Sequence, residues 1–425
     1  MNIHIHTFGC RLNQYESEKI SFELKNMGAN ITELKNADAI AINTCTVTND
    51  SDKKLINYLD KLENISQKKI FLIGCYVSKK ENSKNEENLF DKENITIIPN
   101  DKKEEASKII FNTLTKNYES EFKNPIFFPQ EQSRAYLKIQ DGCEVFCSYC
   151  IVAKVRGKHK SVEPKKIYDA IKIAYEYGYK EIVLTGLNLG SYNYNNEIKF
   201  IQIVKNMLEI SSKFGIRIRL SSIEPIYFND ELISLFKNSE VLCPHAHIPL
   251  QSGSDKILKL MNRRYTRENY LNIVEKLYKT NSNIGISADI MVGFPNEDSN
   301  DFKDTYNLCE KSKFIKMHIF RYSNRENTPS SKMSNQIGYR TKLKRAKLLN
   351  ELNNKMKDDF YKNAINRELK VIAEKKLENN YYIGTSGEYL KVKFKSEKII
   401  EKKDIIKVKA IKYEDNIIIG EAKNG

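Results

Sequence analysis

The sequence predicts an α/β chain of three domains: an open parallel sheet, a partial barrel of six βα units, and a small all-β barrel. Three observations carry this. The chain has 425 residues, and at about 150 residues per domain that suits three. Apolar strand patterns alternate with helical patterns from the N-terminus to about residue 330, the signature of parallel sheets. The last sixty residues then change to short alternating strands with turn signals and no helix between them. The expected domains are 1–118, 132–363 and 364–425.

In the first domain the strand candidates are 2–7 (NIHIHT), 38–43 (DAIAIN), 69–73 (KIFLI) and 94–98 (NITII), with helical patterns at about 13–27 and 50–65. Residues 78–130, rich in Lys, Glu and Asn, are expected to form a peripheral helical segment and a linker. In the second domain the strands are 135–140, 181–185, 216–221, 245–250, 286–292 and 316–321. Polar or Gly-rich motifs follow all six: DGCEVFC, TGLNLGSY, SIEP, QSGSD, GFPNED and YSNRENTP. Singly these are ordinary turn residues. Together they mark the carboxyl rim, where such barrels place their chemistry. A Lys/Arg-rich amphipathic helix follows at about 337–363, and the tail supplies LKVIAEKK, YYIGTSG, YLKVKFK, DIIKVKAIKY and NIIIGEA.

Composition narrows the function classes. Hydrophobic residues make up 40% and charged residues 29%, too apolar for a disordered chain. No apolar run approaches the ~18 residues of a membrane span, and MNIHIHTFGC has no basic region or long apolar stretch of a secretory signal. A cytoplasmic protein without membrane contact is expected. The net charge is +15, and residues 331–425 hold 23 Lys+Arg against 13 Asp+Glu. Basic residues interleaved with Tyr381, Tyr382, Tyr389 and Phe394 suit RNA backbone contact and base stacking. A solvated barrel in a Lys-rich sequence is the plainer alternative.

The eight cysteines are too sparse for a disulfide scaffold. Cys143, Cys147 and Cys150 fall in one C-x3-C-x2-C window. Three thiolates this close suit a metal or cluster; zinc would want a fourth close ligand, whereas three on a four-iron cluster leave one iron open. Cys10, Cys45 and Cys75 each follow the carboxyl end of a predicted strand. Ligands of open α/β sheets bind at that edge, so three successive βα turns would bring the three together. Cys243 and Cys309 are expected to be structural, as free cysteines commonly are.

These motifs point to one family. CEVFCSYC resembles the signature of radical S-adenosylmethionine (SAM) enzymes, and TFGCRLNQYES, NTCTVT and GCY resemble the three cysteine motifs of the methylthiotransferases. Ala153 stands where that family usually has Pro, while Arg156-Gly157 are kept. NTCTVT, IQDGC, LTGLNLGSY, RLSSIEP and HIPLQSGSDKILKLMNRRYT look most like the branch acting on threonylcarbamoyladenosine in tRNA.

The resemblance implies an N-terminal domain with an auxiliary cluster, a radical SAM partial (β/α)6 barrel and a TRAM-like barrel. Cys143, Cys147 and Cys150 would hold one [4Fe–4S] cluster whose open iron binds SAM; Cys10, Cys45 and Cys75 would hold a second that carries a sulfur. A radical from SAM would take hydrogen from carbon 2 of the adenine, and a second SAM would methylate the sulfur before transfer. Tyr149 resembles the aromatic packed near the SAM adenine; Thr185-Gly186 would approach its amino group; Ser222, Glu224, Gln251, Ser252 and Asp289 would contact ribose, methionine or substrate. The implied partners are tRNA, a flavodoxin- or ferredoxin-type electron donor and a sulfur donor, around a monomer. Rival readings are methylthiolation of isopentenyladenosine or of a ribosomal-protein aspartate, a zinc-bearing RNA-binding protein, and a radical SAM enzyme without sulfur insertion.

Overall fold

The computed structural model describes residues 1–9, 11–62, 68–80, 93–115 and 132–423. Cys10 and most of the expected linker and peripheral segment lie outside these. The chain divides into two units: residues 1–129, 141–159 and 323–331 form one, and residues 130–140, 160–322 and 332–425 the other.

The first unit is built on a five-stranded sheet. Its elements are β1 (Asn2–Thr7), α1 (Arg11–Asn26), β2 (Asn30–Ile31), β3 (Ala39–Thr44), α2 (Asn49–Asp60), β4 (Lys69–Gly74), α3 (Cys75–Lys80), β5 (Ile95–Ile98) and α4 (Ala106–Thr115). The strand order is β2-β1-β3-β4-β5, all parallel. Every residue of β3 is buried, as expected of a strand covered on both faces. Ala39, Ala41, Phe71 and Ile73 pack on one side with Ile20, Leu24 and Ile110. Ile40, Ile42, Ile70 and Leu72 pack on the other with Leu55, Leu59 and Tyr76. Helix α2 starts where Thr48 accepts a hydrogen bond from the Ser51 amide, with Asp50 and Asp52 in its first turn. This unit also contains the loop with Cys143, Cys147 and Cys150, and the short helix α5 (Val152–Arg156).

The second unit opens with six parallel strands: β6 (Ala135–Lys138), β7 (Glu181–Thr185), β8 (Arg217–Leu220), β9 (His245–His247), β10 (Gly285–Val292) and β11 (Lys316–Arg321). They pair as two triplets, β6-β7-β8 and β9-β10-β11. Single bridges, Ile218↔Leu242 and Ser222↔His247, join the halves. Helices α6 (Pro164–Glu176), α7 (Phe200–Phe214), α8 (Asp230–Asn238), α9 (Asp255–Leu260), α10 (Arg267–Thr280) and α11 (Ser299–Ser312) connect them. Pro164 starts α6 at a position that lacks an amide partner anyway, and Thr266 with Asn269 forms a capping box on α10.

Helix α12 (Tyr339–Lys362) leads into a closed barrel: β12 (Glu368–Lys376), β13 (Tyr381–Ser386), β14 (Lys391–Lys395), β15 (Ile405–Glu414) and β16 (Ile417–Ala422), in the order β12-β13-β14-β16-β15. Its core holds Leu369, Val371, Tyr382, Val392, Phe394, Val408 and Ile418.

This core corrects the expectation for the aromatic residues. Tyr382 and Phe394 point inward and are buried, because alternation along a barrel strand sends every second side chain to the interior. Tyr389 is stacked on His245, with Arg219 over its ring. Tyr381 is half-buried on the outer side, under Lys393.

The tail is fastened to the six-stranded barrel through buried charge. Glu181 on β7 is fully buried and takes Arg217 Nε at 2.5 Å, Arg219 Nε at 2.7 Å and Arg134 Nε at 3.2 Å. Burial opposes ionisation of Glu181, but the three guanidinium groups hold its carboxyl far below the usual range. The remaining donors of Arg217 reach the Lys370 and Thr385 carbonyls, and those of Arg219 the Ser386 and Gly387 carbonyls.

Candidate active site

In the first unit the carboxyl ends of β1, β3 and β4 lie side by side, since Thr7 pairs with Asn43 and Thr44 with Gly74. Cys45 and Cys75 therefore follow paired residues of adjacent strands, and both are buried. Gly9 presses against Cys45: a Cβ on it would come within 2.6 Å of the Cys45 Cβ, and its φ of +105° favours glycine. Asn13 Nδ2 donates to the Phe8 and Thr44 carbonyls at 2.8 and 2.9 Å. Asn43 Nδ2 donates to the Asn13 carbonyl at 2.8 Å. Thr44 Oγ1 donates to the Ile73 carbonyl and accepts from the Tyr76 amide. The turns are thus laced together before any ligand is considered.

Two buried arginines brace them. Arg156 Nε lies 3.2 Å from Cys75 Sγ, while its Nη atoms bind Glu16 at 2.6 Å and Asn13 Oδ1 at 2.7 Å. Arg325 donates to the Thr46 carbonyl at 2.6 Å and to Asn49, and pairs with Asp52 at 2.9 Å. Both hold segments that flank cysteine positions.

The C-x3-C-x2-C loop turns tightly. Gly142 has φ +72°, and a Cβ there would meet the Lys158 carbonyl oxygen at 2.0 Å. The Cys150 amide donates to the Cys147 carbonyl at 3.0 Å, and Cys143 to Gly157 at 3.3 Å. Phe146, between the first two cysteines, adopts φ 52° and is 60% exposed. Burial, reinforced by the neighbouring Cys147 and Cys143 sulfurs, pushes the Cys150 thiol up to about 12. Three soft sulfurs gathered in one loop, with the Cys150 thiol disfavoured as a thiolate on its own, fit a cationic iron cluster that takes the place of the proton. Tyr149 is half-buried in the same loop. Ile151 and Val155, just beyond, form a buried cluster with Cys75.

In the second unit the expected cofactor contacts lie along the carboxyl rim. Thr185 is buried at the end of β7, and its Oγ1, like Asn188 Oδ1, is buried with no hydrogen-bond partner among the described residues. Such orphaned atoms at a strand end suit a polar ligand. Gly186 leaves no room for a side chain, since a Cβ would lie 2.9 Å from Gln140 Oε1. Ser222 is half-buried beside the bridge to His247.

The Glu224 side chain makes no cap hydrogen bond to the turn Pro225–Tyr227: it takes Arg263 Nη2 at 2.5 Å, and burial pushes its carboxyl up even so. Gln251 sits at φ 61° and exchanges backbone hydrogen bonds with Asp289 and Met291 at 2.8 Å. The Ser252 hydroxyl is fully buried and is spent on Thr305 Oγ1 and the Ser254 amide, so it braces the loop.

Asp289 shares the barrel interior with two histidines. His247 Nε2 lies 3.2 Å from its Oδ2, and His318 is its register neighbour on β11. Burial opposes ionisation, but the His247 hydrogen bond and the charges of His247, His318 and Arg263 hold the carboxyl below its usual range. Ser287 Oγ bridges His245 Nε2 at 3.0 Å and His247 Nδ1 at 2.9 Å. His318, Arg325 and the sulfur contact of Arg156 were not anticipated. Only the parallel register of β10 and β11 reveals His318. Arg325 stands in the polar motif after β11, which is the sole signal for it in sequence. Cys243 and Cys309 are fully buried.

Comparison with known proteins finds relatives along most of the chain. A model of the radical SAM superfamily matches residues 137–309, and one of the uncharacterized protein family UPF0004 matches residues 2–98. The threonylcarbamoyladenosine tRNA methylthiotransferase MtaB of Bacillus subtilis (strain 168) is 34% identical, covering 96% of this chain and 93% of its own. The enzyme of that name from Thermotoga maritima is 33% identical over 94% and 92%. A tRNA-2-methylthio-N(6)-dimethylallyladenosine synthase from Clostridium novyi is 36% identical over 78% and 76%. Among solved structures, the radical SAM methyltransferase TsrM from Kitasatospora setae matches with TM-score 0.54 at 9% identity, over 77% of this chain and 76% of that one, which shows the fold alone. With relatives this similar over nearly its whole length, the chain belongs to the radical SAM methylthiotransferase family.

Proposed function

We propose that this chain methylthiolates tRNA, replacing the hydrogen on carbon 2 of N(6)-threonylcarbamoyladenosine next to the anticodon with a methylthio group. One observation carries the reading: two separate groups of cysteines, one in the C-x3-C-x2-C loop and one on adjacent strand ends, in a chain with full-length methylthiotransferase relatives. A methyltransferase or a plain radical enzyme has use for one such group, not two. Cys143, Cys147 and Cys150 would hold one [4Fe–4S] cluster, and Cys10, Cys45 and Cys75 the second. When bound, these clusters supply the electron that splits SAM and the sulfur that is methylated.

The chain's own residues bind and orient. Thr185 Oγ1 and the backbone at Gly186 offer polar contacts to the SAM amino group. Tyr149 offers a flat face to the adenine. Asp289, kept anionic by its histidines, and Ser222, Glu224 and Gln251 offer contacts to ribose, methionine or substrate hydroxyls. The reading includes a cytoplasmic monomer served by a flavodoxin- or ferredoxin-type electron donor.

The test is nucleoside mass spectrometry of tRNA from a bacterial host that makes threonylcarbamoyladenosine but lacks its methylthiolating enzyme. Expression of this chain should give a nucleoside heavier by one methylthio group replacing hydrogen, lost with Cys147→Ala and with Cys45→Ala. Unchanged threonylcarbamoyladenosine alongside newly methylthiolated isopentenyladenosine would move the chain to the branch of its Clostridium novyi relative.

A further inference from the structure

The Arg156 guanidinium is 3% exposed on its side chain and is walled in by polar partners. Nη1 meets Glu16 Oε1 at 2.6 Å and Asp141 Oδ2 at 3.4 Å; Nη2 meets Asn13 Oδ1 at 2.7 Å and Glu16 Oε2 at 3.2 Å. Glu16 is itself fixed by Lys103 Nζ at 2.5 Å. The Nε–H that remains faces Cys75 Sγ at 3.2 Å. Its direction is set by the planar fork: once both Nη atoms are anchored, Nε has no freedom to turn away.

A neutral thiol is a weak acceptor. A buried, charged N–H aimed at sulfur gains most when the sulfur carries negative charge, as a metal-bound thiolate does. Hydrogen bonds to ligand sulfurs also set a cluster's affinity for an electron. The arginine comes from the other cysteine group, since Arg156 follows Cys150 by six positions. Its helix α5 packs Ile151 and Val155 directly on Cys75.

We propose that Arg156 is a positioning residue for the auxiliary iron site: its Nε–H fixes the Cys75 sulfur toward the metal and raises the potential at which that site accepts an electron. The proposal rests on the assignment of Cys75 as a cluster ligand made above. It makes the loop of one cysteine group a structural and electrostatic part of the other.

The test uses the full-length chain with Cys143, Cys147 and Cys150 all changed to Ala, reconstituted anaerobically with iron and sulfide. The parent should hold about four irons per chain. Its midpoint potential is followed by electron paramagnetic resonance during a redox titration. Arg156→Gln should move the midpoint to more negative potential. Arg156→Lys, which keeps the charge and loses the directed Nε–H, should move it less. Asn13→Ala, which frees one anchor of the fork, should give a small shift in the same direction. Loss of the irons by Arg156→Gln, with the circular dichroism of the folded chain retained, would equally support the positioning role. Should Arg156→Gln fail to fold, the Lys and Asn13 variants decide. Unchanged iron content and unchanged midpoint in the Arg156 variants would overturn the proposal. A parent that binds no iron would instead overturn the assignment of Cys75.

Discussion

The two units each bury arginine against glutamate, and to different ends. In the second, Glu181 is met by three arginines; the donors left over on Arg217 and Arg219 go to backbone carbonyls of the tail barrel, and that of Arg134 goes to Glu374. In the first, Arg156 has three oxygen-bearing side chains, Glu16, Asn13 and Asp141, on its fork and directs the remaining N–H to a sulfur. The first arrangement closes a structural joint. The second leaves one directed donor at a position where chemistry is expected. A buried ion pair is thus not itself a sign of function; where its last donor goes is the informative part.

Breaking the joint should have the largest effect. Glu181→Ala leaves Arg134, Arg217 and Arg219 without their common counter-ion, and removal of one partner of such a buried cluster costs about 3–5 kcal/mol; urea denaturation measures it. The same group sets an acid limit. Because the folded pKa of Glu181 lies below the ordinary carboxylate value of 4.5, its stabilisation is fully present above that pH and is lost as pH falls below it. Urea midpoints of the native chain should therefore fall more steeply below pH 4.5 than those of Glu181→Gln.

The tail offers a sharper contrast between neighbours. Tyr382→Ala empties a buried aromatic site and should cost about 3–5 kcal/mol, whereas Tyr381→Ala, half-buried outside the core, should cost about 1 kcal/mol or less. Thermal unfolding of the pair separates an inward from an outward side chain one position apart.

In the first unit, Arg325→Ala removes charged hydrogen bonds to Thr46, Asn49 and Asp52. A loss of about 1.5–3 kcal/mol is expected, together with lower iron content, because the turn it holds includes Cys45. The smallest effect is a null one. Burial pushes the Cys309 thiol far above its ordinary range, so brief iodoacetamide treatment of the folded protein should leave Cys309 unlabelled by peptide mass spectrometry.

The strands were legible because their periodicity is strong: β7 and β11 coincide with the expected 181–185 and 316–321. The cysteine turns were legible because cysteines so spaced carry a narrow chemistry. What sequence hid was long-range pairing. Arg156 and Cys75 stand 81 positions apart, and no local pattern links them. In the tail, Tyr381 and Tyr382 are chemically alike, and only the closed barrel decides which turns inward. Ser252 stands in QSGSD among the expected ligand contacts, but Gly253 lets that loop lie so close to α11 that Thr305 claims both the Ser252 hydroxyl and the Gly253 amide.

Arg217 and Arg219 grip the tail barrel by the carbonyls of Lys370, Thr385, Ser386 and Gly387. Main-chain oxygens are common to all twenty amino acids. These four bonds are therefore indifferent to which side chains the barrel carries there, while Arg134 on Glu374 and Tyr389 on His245 and Arg219 add contacts that do depend on side chains. Outward side chains that make none of these contacts are free to change without breaking those four bonds. Removing the barrel is a different matter: truncation after α12 would strip these buried guanidinium groups of their carbonyl acceptors.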